Sequence, residues 1–390
     1  MNLKTFYADF HIHIGRTLSN RPVKITASND LTIQHIFPFV EKKKGIDLIG
    51  IIDAHVPEVL VELELGIQKG NLYEEVDGGI SNGKVTVLLG SEIEIYDQNC
   101  SGPIHVLCFF PTLNRMKQFS NWYDAYVKNP TLSSQRIYID AKTLQQQVKQ
   151  LDGLFIPAHV FTPFKSMYGK GVKNSLIEVF DPSLIDAVEL GLSSDTSMAE
   201  TISELEAYPF LTNSDAHSLE KIGREYQALK LAQPTFLEFR KALKNEAGRK
   251  IEANYGMNPK LGKYYETICK KCHKPTIKHQ TTCSNCGSSQ LIKGVSERIE
   301  QLSDQGGKKK RKRPPYIHQV PLEYVPGLGP KTLQKLRVAL KNDMYIIHEA
   351  TFEEIKKVSQ EKIAHYILQL RHGKLSIHPG GGGVYGKVKT

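Results

Sequence analysis

Long hydrophobic runs are missing from this chain. No apolar stretch approaches the ~20 residues that cross a bilayer, and the N-terminus has no signal-peptide pattern. The expectation is a cytoplasmic protein, nucleoid-associated in a bacterial or archaeal cell. Cysteine is scarce, with six in 390 residues. Four of these form one tight cluster, which excludes a disulfide framework and points to metal ligation in a reducing compartment; Cys100 and Cys108 read as buried thiols. There is no Gly-x-Ser-x-Gly elbow and no P-loop, so neither a serine nucleophile nor a nucleotide cradle of the usual kind is encoded. Acidic residues are outnumbered, 41 against 51 Lys and Arg, and the net charge of +10 favours a polyanionic partner, although an anionic membrane surface would also suit it. The length allows two or three domains.

What the chain does have begins at Phe6 to Gly15, FYADFHIHIG, where Asp9, His11 and His13 stand at alternate positions of a predicted strand. Side chains two apart on a strand share a face, so one carboxylate and two imidazoles are expected to converge, as a divalent metal requires. The arrangement recurs. Successive apolar runs lead into Asp53 and His55, carry Glu92 and Glu94 on one face, hold His105, and end at His159 and at Asp215 and His217. Helical patterns over 31–44, 114–128, 141–151, 196–207 and 235–245 lie between them. Strand and helix alternate over residues 1–250, which predicts an α/β sheet or barrel of parallel strands with ligand-type residues on the carboxyl rim. One such histidine is ordinary core; six such strand ends together predict a polynuclear metal site.

These motifs, Asp9-x-His11-x-His13, Asp53-Ala54-His55, Glu92, His105, His159 and Ser214-Asp215-Ala216-His217, resemble those of the PHP (polymerase and histidinol phosphatase) superfamily of metal phosphoesterases. The resemblance implies a distorted (β/α)7 barrel holding two to three divalent metals (zinc, manganese or magnesium). It assigns His11, His13, Glu92 and Asp215 to one metal. Glu92 bridges to a second held by His105 and His159, and His55 and His217 hold a third. Many members carry a further His or Asp shortly after the His-x-His. Here 14–19 read IGRTLS, so the third site is expected to be weak or completed by Asp53, Asp9 or water. Glu189 is a further neighbour of the site. Asp195 either orients a nucleophile or caps the helix starting at Thr196. Glu92, Asp195, Asp215 and His217 are the candidate catalytic residues.

Beyond the barrel, Cys269-x-x-Cys272 and Cys283-x-x-Cys286 form two knuckles that predict a structural zinc site, with His273 and His279 facing solvent. Lys308, Lys309, Lys310, Arg311, Lys312 and Arg313 form a basic linker able to meet phosphates. In LEYVPGLGPKTLQKL, Gly327 and Gly329 permit a tight turn before a helix that Pro330 opens and Lys331 charges; this resembles a helix-hairpin-helix, which grips the DNA backbone. Residues 352–370 resemble a degenerate second copy. The expected domains are 1–255 (phosphoesterase), 256–300 (zinc-binding), 301–320 (basic linker), 321–377 (helical, DNA-binding) and 378–390 (flexible tail).

Barrel, four-cysteine module and hairpin-like end, in that order, resemble the endonuclease Q family. That resemblance implies a DNA repair hydrolase cutting 5′ of uracil, hypoxanthine, xanthine and abasic sites in duplex or single-stranded DNA. Within 160–175, Phe161, Phe164 and Tyr168 interleave with Lys165, Lys170 and Lys173, which suggests a pocket for a flipped base, with an ordinary packed lid as the alternative. The rival functions are a small-molecule phosphatase of histidinol-phosphate type, which needs no extended cationic surface, and a non-catalytic DNA-binding adaptor, which would be free to lose ligands.

Overall fold

The computed structural model describes residues 2–304, 312–378 and 386–388. Seven strands close a distorted barrel: β1 (Lys4–Ile12), β2 (Leu48–Ile51), β3 (Thr86–Ile95), β4 (Ile104–Phe110), β5 (Leu154–Pro157), β6 (Val188–Glu189) and β7 (Phe210–Leu211). β1, β2 and β3 are parallel. Their crossovers carry α1 (Ile33–Phe39), capped by Thr32 accepting from the His35 amide, and α2 (Pro57–Gln68), which opens on a proline. β6 and β7 are also parallel. The ring closes where the Asp186 amide donates to Phe155 O and the Val160 amide to Glu189 O, each at 3.0 Å, and where the Ala216 amide reaches His11 O at 2.9 Å.

An all-parallel order is not what forms. β4 runs antiparallel to both β3 and β5. Only residues 96–103 join β3 to β4, too short a connection for a crossover helix, so the pair folds as a hairpin. Phe10, Leu48, Leu88, Leu107, Phe109, Ile156 and Leu211 belong to one buried cluster, so the barrel interior is packed and no pore runs through it.

Outside the ring, β8 (Tyr226–Leu231) pairs antiparallel with β1, and β9 (Lys250–Gly256) antiparallel with β8. A further strand, β10 (Tyr316–His318), runs parallel to β9, so the stretch expected to be wholly linker ends as an edge of the main sheet. Lys308, Lys309, Lys310 and Arg311 lie outside the described residues. The cysteine module ends in the helix Val295–Leu302, whose Arg298 donates to the carbonyls of Tyr168 and Lys173 on the barrel, 2.7 Å each. Helices Pro330–Ala339, Asp343–His348, Phe352–Val358 and Glu361–Arg371 make up the C-terminal block. It docks where His348 stacks on Tyr7 and its Nε2 lies 2.8 Å from Tyr226 Oη. Of the tail, 379–385 and 389–390 lie outside the described residues, and Lys387–Val388 pairs antiparallel with Ile377–His378, setting Val388 opposite Ile377. No helix among the described residues is long and apolar enough to cross a membrane.

Candidate metal centre

The ladder between β1 and β2 slips between Asp9 and Ile12, and this irregularity separates Asp9 from the histidines it was expected to join. The Asp9 carboxylate accepts from the amides of Ser214 (3.0 Å) and Gly223 (2.8 Å), tying the β7 loop to β1. His11 and His13 instead turn toward Glu92 of β3.

Three groups of ligand atoms result: His11, His13 and Glu92; Glu92, His105 and His159; and His13, Asp215 and His217. Glu92 belongs to the first two and His13 to the first and third. His11 Nε2 lies 3.4 Å from both Glu92 Oε1 and Asp215 Oδ1, and His159 Nε2 lies 3.4 Å from Glu92 Oε1. Ligand atoms of a tetrahedral ion with bonds near 2.0–2.1 Å stand roughly 3.3 Å apart, so these spacings suit a shared metal. The Nε2 atoms of His11, His13, His55 and His105 are buried without a hydrogen-bond partner, which is costly unless a cation takes their lone pairs.

The opposite ring nitrogens are held. His11 Nδ1 donates to Glu189 Oε1 at 3.0 Å, and His13 Nδ1 to Asp53 Oδ2 at 3.0 Å. Asn213 in turn donates to Glu189 at 2.7 Å. Carboxylate backing of this kind fixes the tautomer and aims the free nitrogen. Asp53 and Glu189 are therefore orienting groups behind the imidazoles.

Electrostatics follow the packing. Burial alone would raise the Glu92 carboxyl, but His105 and Lys24 outweigh it and hold Glu92 well below the usual range. Asp215, likewise opposed by burial, is held low by His11, His217 and His159. Burial, with Lys24 beside it, pushes His13 down to about 4 in spite of Asp53. His11 and His105 move the other way, raised against burial by Glu189 and Asp215 and by Glu92 respectively. Two non-glycine ligands, His159 (φ 32°) and Asp215 (φ 47°), sit in the left-handed region, a strain of the kind found at sites the surroundings over-determine. Gly191 (φ 80°) packs against His159; a Cβ there would come within 2.9 Å of the His159 Cβ.

His55 and Asp195 are not brought into these groups. His55 Nδ1 lies 2.9 Å from Ser91 Oγ, and the third group is completed by His13 in its place. The Asp195 carboxylate caps the one-turn helix Thr196–Ala199 and contacts His318 at 3.0 Å, so of the two readings it fulfils the capping one. Phe161 and Tyr168 are buried and stacked on each other with centroids 5.3 Å apart, so neither ring has a face for a base. Phe164 remains exposed, edge-on to Tyr264, and Lys165 pairs with Glu94 at 2.8 Å. Arg313 donates to the carbonyls of Tyr208 and Leu205 and lies over the Phe210 ring, so it fastens the chain to the barrel; Lys312 stays exposed.

Two residues of the site carried no sequence signal. Lys24 Nζ lies 3.1 Å from Glu92 Oε2 and 2.6 Å from Ser134 Oγ; both arrive on loops that no ligand motif marks.

A cavity of about 250 Å³ opens on this centre, lined in part by His159, Asn213, Asp215, His217, Arg224 and Tyr264. At the cysteine module, the Sγ atoms of Cys269 and Cys286, and of Cys272 and Cys283, are each 3.6 Å apart. Thiolates around zinc at 2.3 Å stand roughly 3.8 Å apart, whereas a disulfide is closed to about 2.05 Å, so the four fit a tetrahedral zinc cage. His273 and His279 stay outside that group. Gly327 (φ 80°) makes the turn before the helix that Pro330 opens, and Lys331 is exposed at its start.

A PHP-associated family model matches residues 195–247. The Bacillus subtilis protein YqxK is 57% identical over 99% of this chain and the whole of that protein. Protein MJ0043 of Methanocaldococcus jannaschii is 36% identical over 67% of the chain and 36% of its own length. The lesion-specific endonuclease PfuEndoQ of Pyrococcus furiosus superimposes with a TM-score of 0.84 at 31% identity, covering 99% of this chain and 95% of that one. An endonuclease Q solved with a 27-mer duplex substrate bearing an abasic lesion at the active site gives 0.84 at 30% identity, over 99% and 96%. With barrel, ligand groups and four-cysteine module in the same chain, the protein belongs to the endonuclease Q family of the PHP superfamily.

Proposed function

We propose that this chain is a metal-dependent DNA endonuclease that hydrolyses the phosphodiester 5′ of deaminated bases (uracil, hypoxanthine, xanthine) and of abasic sites. The observation that carries the chemistry is the sharing of Glu92 and His13 among three ligand groups, since adjacent metals can clamp both the attacking and the leaving oxygen of a phosphodiester with no protein nucleophile. Lesion specificity is supported by the solved relatives, one a lesion-specific endonuclease and one bound to a duplex with an abasic lesion.

His11, His13, Glu92, His105, His159, Asp215 and His217 would hold the divalent metals. Such cations supply Lewis acidity toward water and toward a phosphate ester. The protein's own groups do the rest. Asp53 and Glu189 hold two imidazoles in one tautomer and orientation. Lys24 places a cation beside Glu92 at the edge of the site. Arg224 donates to the carbonyls of Ser214 and Asp215 and holds the strained turn that aims the Asp215 carboxylate. Asp215 and His217 are each about one-third exposed, so they are the ligand groups that a phosphodiester entering from the cavity meets. Tyr264 lines that cavity as an aromatic wall for an extruded nucleotide, and Phe164 braces it edge-on from outside. The net charge of +10 and the Gly327–Lys331 turn supply backbone contacts that carry no sequence information.

The test offers the purified protein duplexes with one uracil, one hypoxanthine, one abasic site or no lesion, with and without chelator, beside histidinol phosphate. Chelator-sensitive nicking on the 5′ side of the lesions alone is expected. Turnover of histidinol phosphate with no nicking would overturn the reading.

A further inference from the structure

β3 does not stop at the metal site. Glu92 and Glu94 alternate along it, and Tyr96 follows two residues on, just past the strand's end. The two-residue strand Arg136–Ile137 pairs parallel with Glu94–Ile95, so Arg136 stands beside Glu94 on the same face and Tyr138 follows toward Tyr96. The side chains meet accordingly. The Arg136 guanidinium lies 4.7 Å from the Tyr96 ring centroid and 5.3 Å from that of Tyr138, and Lys128 Nζ lies 5.4 Å from the Tyr138 ring. Tyr96 is 38% and Tyr138 51% exposed, and both cations are exposed.

We propose that Tyr96, Arg136, Tyr138 and Lys128 form a stacking ladder that receives an unpaired nucleotide of the bound DNA strand, adjacent to the cleaved bond. The ladder continues the same strand face that carries Glu92, with the Tyr96 Cα roughly 13 Å further along. Large aromatic rings left half open to water and braced by a guanidinium offer flat faces at fixed spacing. A base in a duplex has no free face to offer them, whereas an unpaired base does, and every base can use the same surface. The flanking cations are placed for the phosphates of that nucleotide, and Arg136 adds its own plane to the stack. The class of ligand is therefore a single-stranded stretch, held without sequence preference. It is a site apart from the cavity that Tyr264 lines. The inference rests on the nuclease reading of the metal centre, but its test is separable.

Tyr96→Ala with Tyr138→Ala, the same pair changed to Phe, and Arg136→Gln would be compared with the parent chain on a uracil-containing duplex. Circular dichroism and zinc content serve as the check on folding. The alanine pair is expected to raise KM about tenfold, an effect of the size base–aromatic stacking gives, with the loss in KM and not in kcat. The phenylalanine pair should stay within about twofold of the parent, and Arg136→Gln should flatten the salt dependence of KM. An unchanged KM in the alanine pair, or equal loss in the alanine and phenylalanine pairs, would overturn the ladder. If the parent chain cut no DNA, the nuclease reading would fall, and the ladder would be read from anisotropy of a labelled single-stranded oligonucleotide. There, weaker binding by the alanine pair alone supports it and equal binding by all variants overturns it.

Discussion

His13 Nδ1 stands 3.0 Å from Asp53 Oδ2, and both side chains are buried. The contact leaves Nε2 as the only free nitrogen of a residue that two ligand groups share. Replacing Asp53 by Asn keeps the volume but removes the charge and turns an acceptor into an ambiguous partner. Asp53→Asn is expected to weaken metal binding at the barrel by about 10- to 100-fold, as loss of such backing does, with the four-cysteine zinc unaffected. Metal titration followed by calorimetry, with total zinc measured in parallel, checks this.

Asp215→Ala removes a carboxylate that lies within 3.4–3.7 Å of His11, His13 and His217 nitrogens. Nicking should fall by at least ~100-fold while most DNA affinity remains, because the cationic surfaces are untouched. Lys331→Ala should do the reverse, weakening binding on all sequences and lowering the slope of log K against log salt by about one. Nicking assays and salt-titrated anisotropy on the same two variants separate these effects.

Lys24 touches Glu92 from a loop, and burial would lower its pKa were Glu92 not there to raise it. A cation at that distance opposes the arrival of another. Lys24→Met should therefore tighten divalent metal binding, on the order of tenfold, while slowing cleavage because a positive charge at the phosphate's approach is lost. Weaker metal binding in this variant would contradict the arrangement.

What could be read from the chain follows from what strands encode. Ligand-type residues in or at the ends of apolar runs gave His11, His13, Glu92, His105, His159, Asp215 and His217, since alternation and residue type are local properties, but His105 stands at the start of its antiparallel strand and not at a carboxyl end. Strand direction is not local, and the hairpin between Thr86–Ile95 and Ile104–Phe110 was hidden in runs that look the same either way round. Asp9 was misplaced because one slipped residue pair in the β1–β2 ladder redirects a side chain. Phe161 and Tyr168 have the spacing of a base-stacking loop, but whether a ring points in or out depends on distant partners such as Glu204, which accepts from Tyr168 Oη at 2.6 Å. Lys24 and Ser134 reach the site from loops, where only the tertiary fold sets distance.

Cys272 lies near neutral, at about 6, because the Lys274 amide points at its sulfur. Thiolate character at a knuckle favours metal capture. Cys272→Ser is expected to remove one zinc per chain and to expose the module, including the Val295–Leu302 helix, to proteolysis. Since Arg298 of that helix grips the carbonyls of Tyr168, Val172 and Lys173, cleavage on lesion duplexes should fall even though the barrel metals stay bound. Limited proteolysis and metal content together check it.

Glu225 gives the last prediction, a dependence of stability on pH. It is fully buried, accepts from the Met257 amide at 2.8 Å through Oε1, and has no partner for Oε2. Burial pushes its carboxyl up to about 8, with the Met257 amide and Arg224 offsetting only part of the rise. The pKa in the folded protein thus exceeds that of the unfolded chain, ordinarily near 4.5, so folding favours the protonated acid. Below the unfolded value both states are neutral and the residue costs nothing. As pH rises from there to about 8 the unfolded chain ionises while the folded one resists, and stability is lost progressively, levelling off once the folded carboxyl also ionises. At one pKa unit per 1.36 kcal/mol the full penalty is on the order of a few kcal/mol. Glu225→Gln keeps an oxygen for the Met257 amide and removes the titration. Its melting temperature should match the parent's near pH 4.5 and exceed it by several degrees at pH 8.5. Parallel melting curves for the two proteins would refute the account.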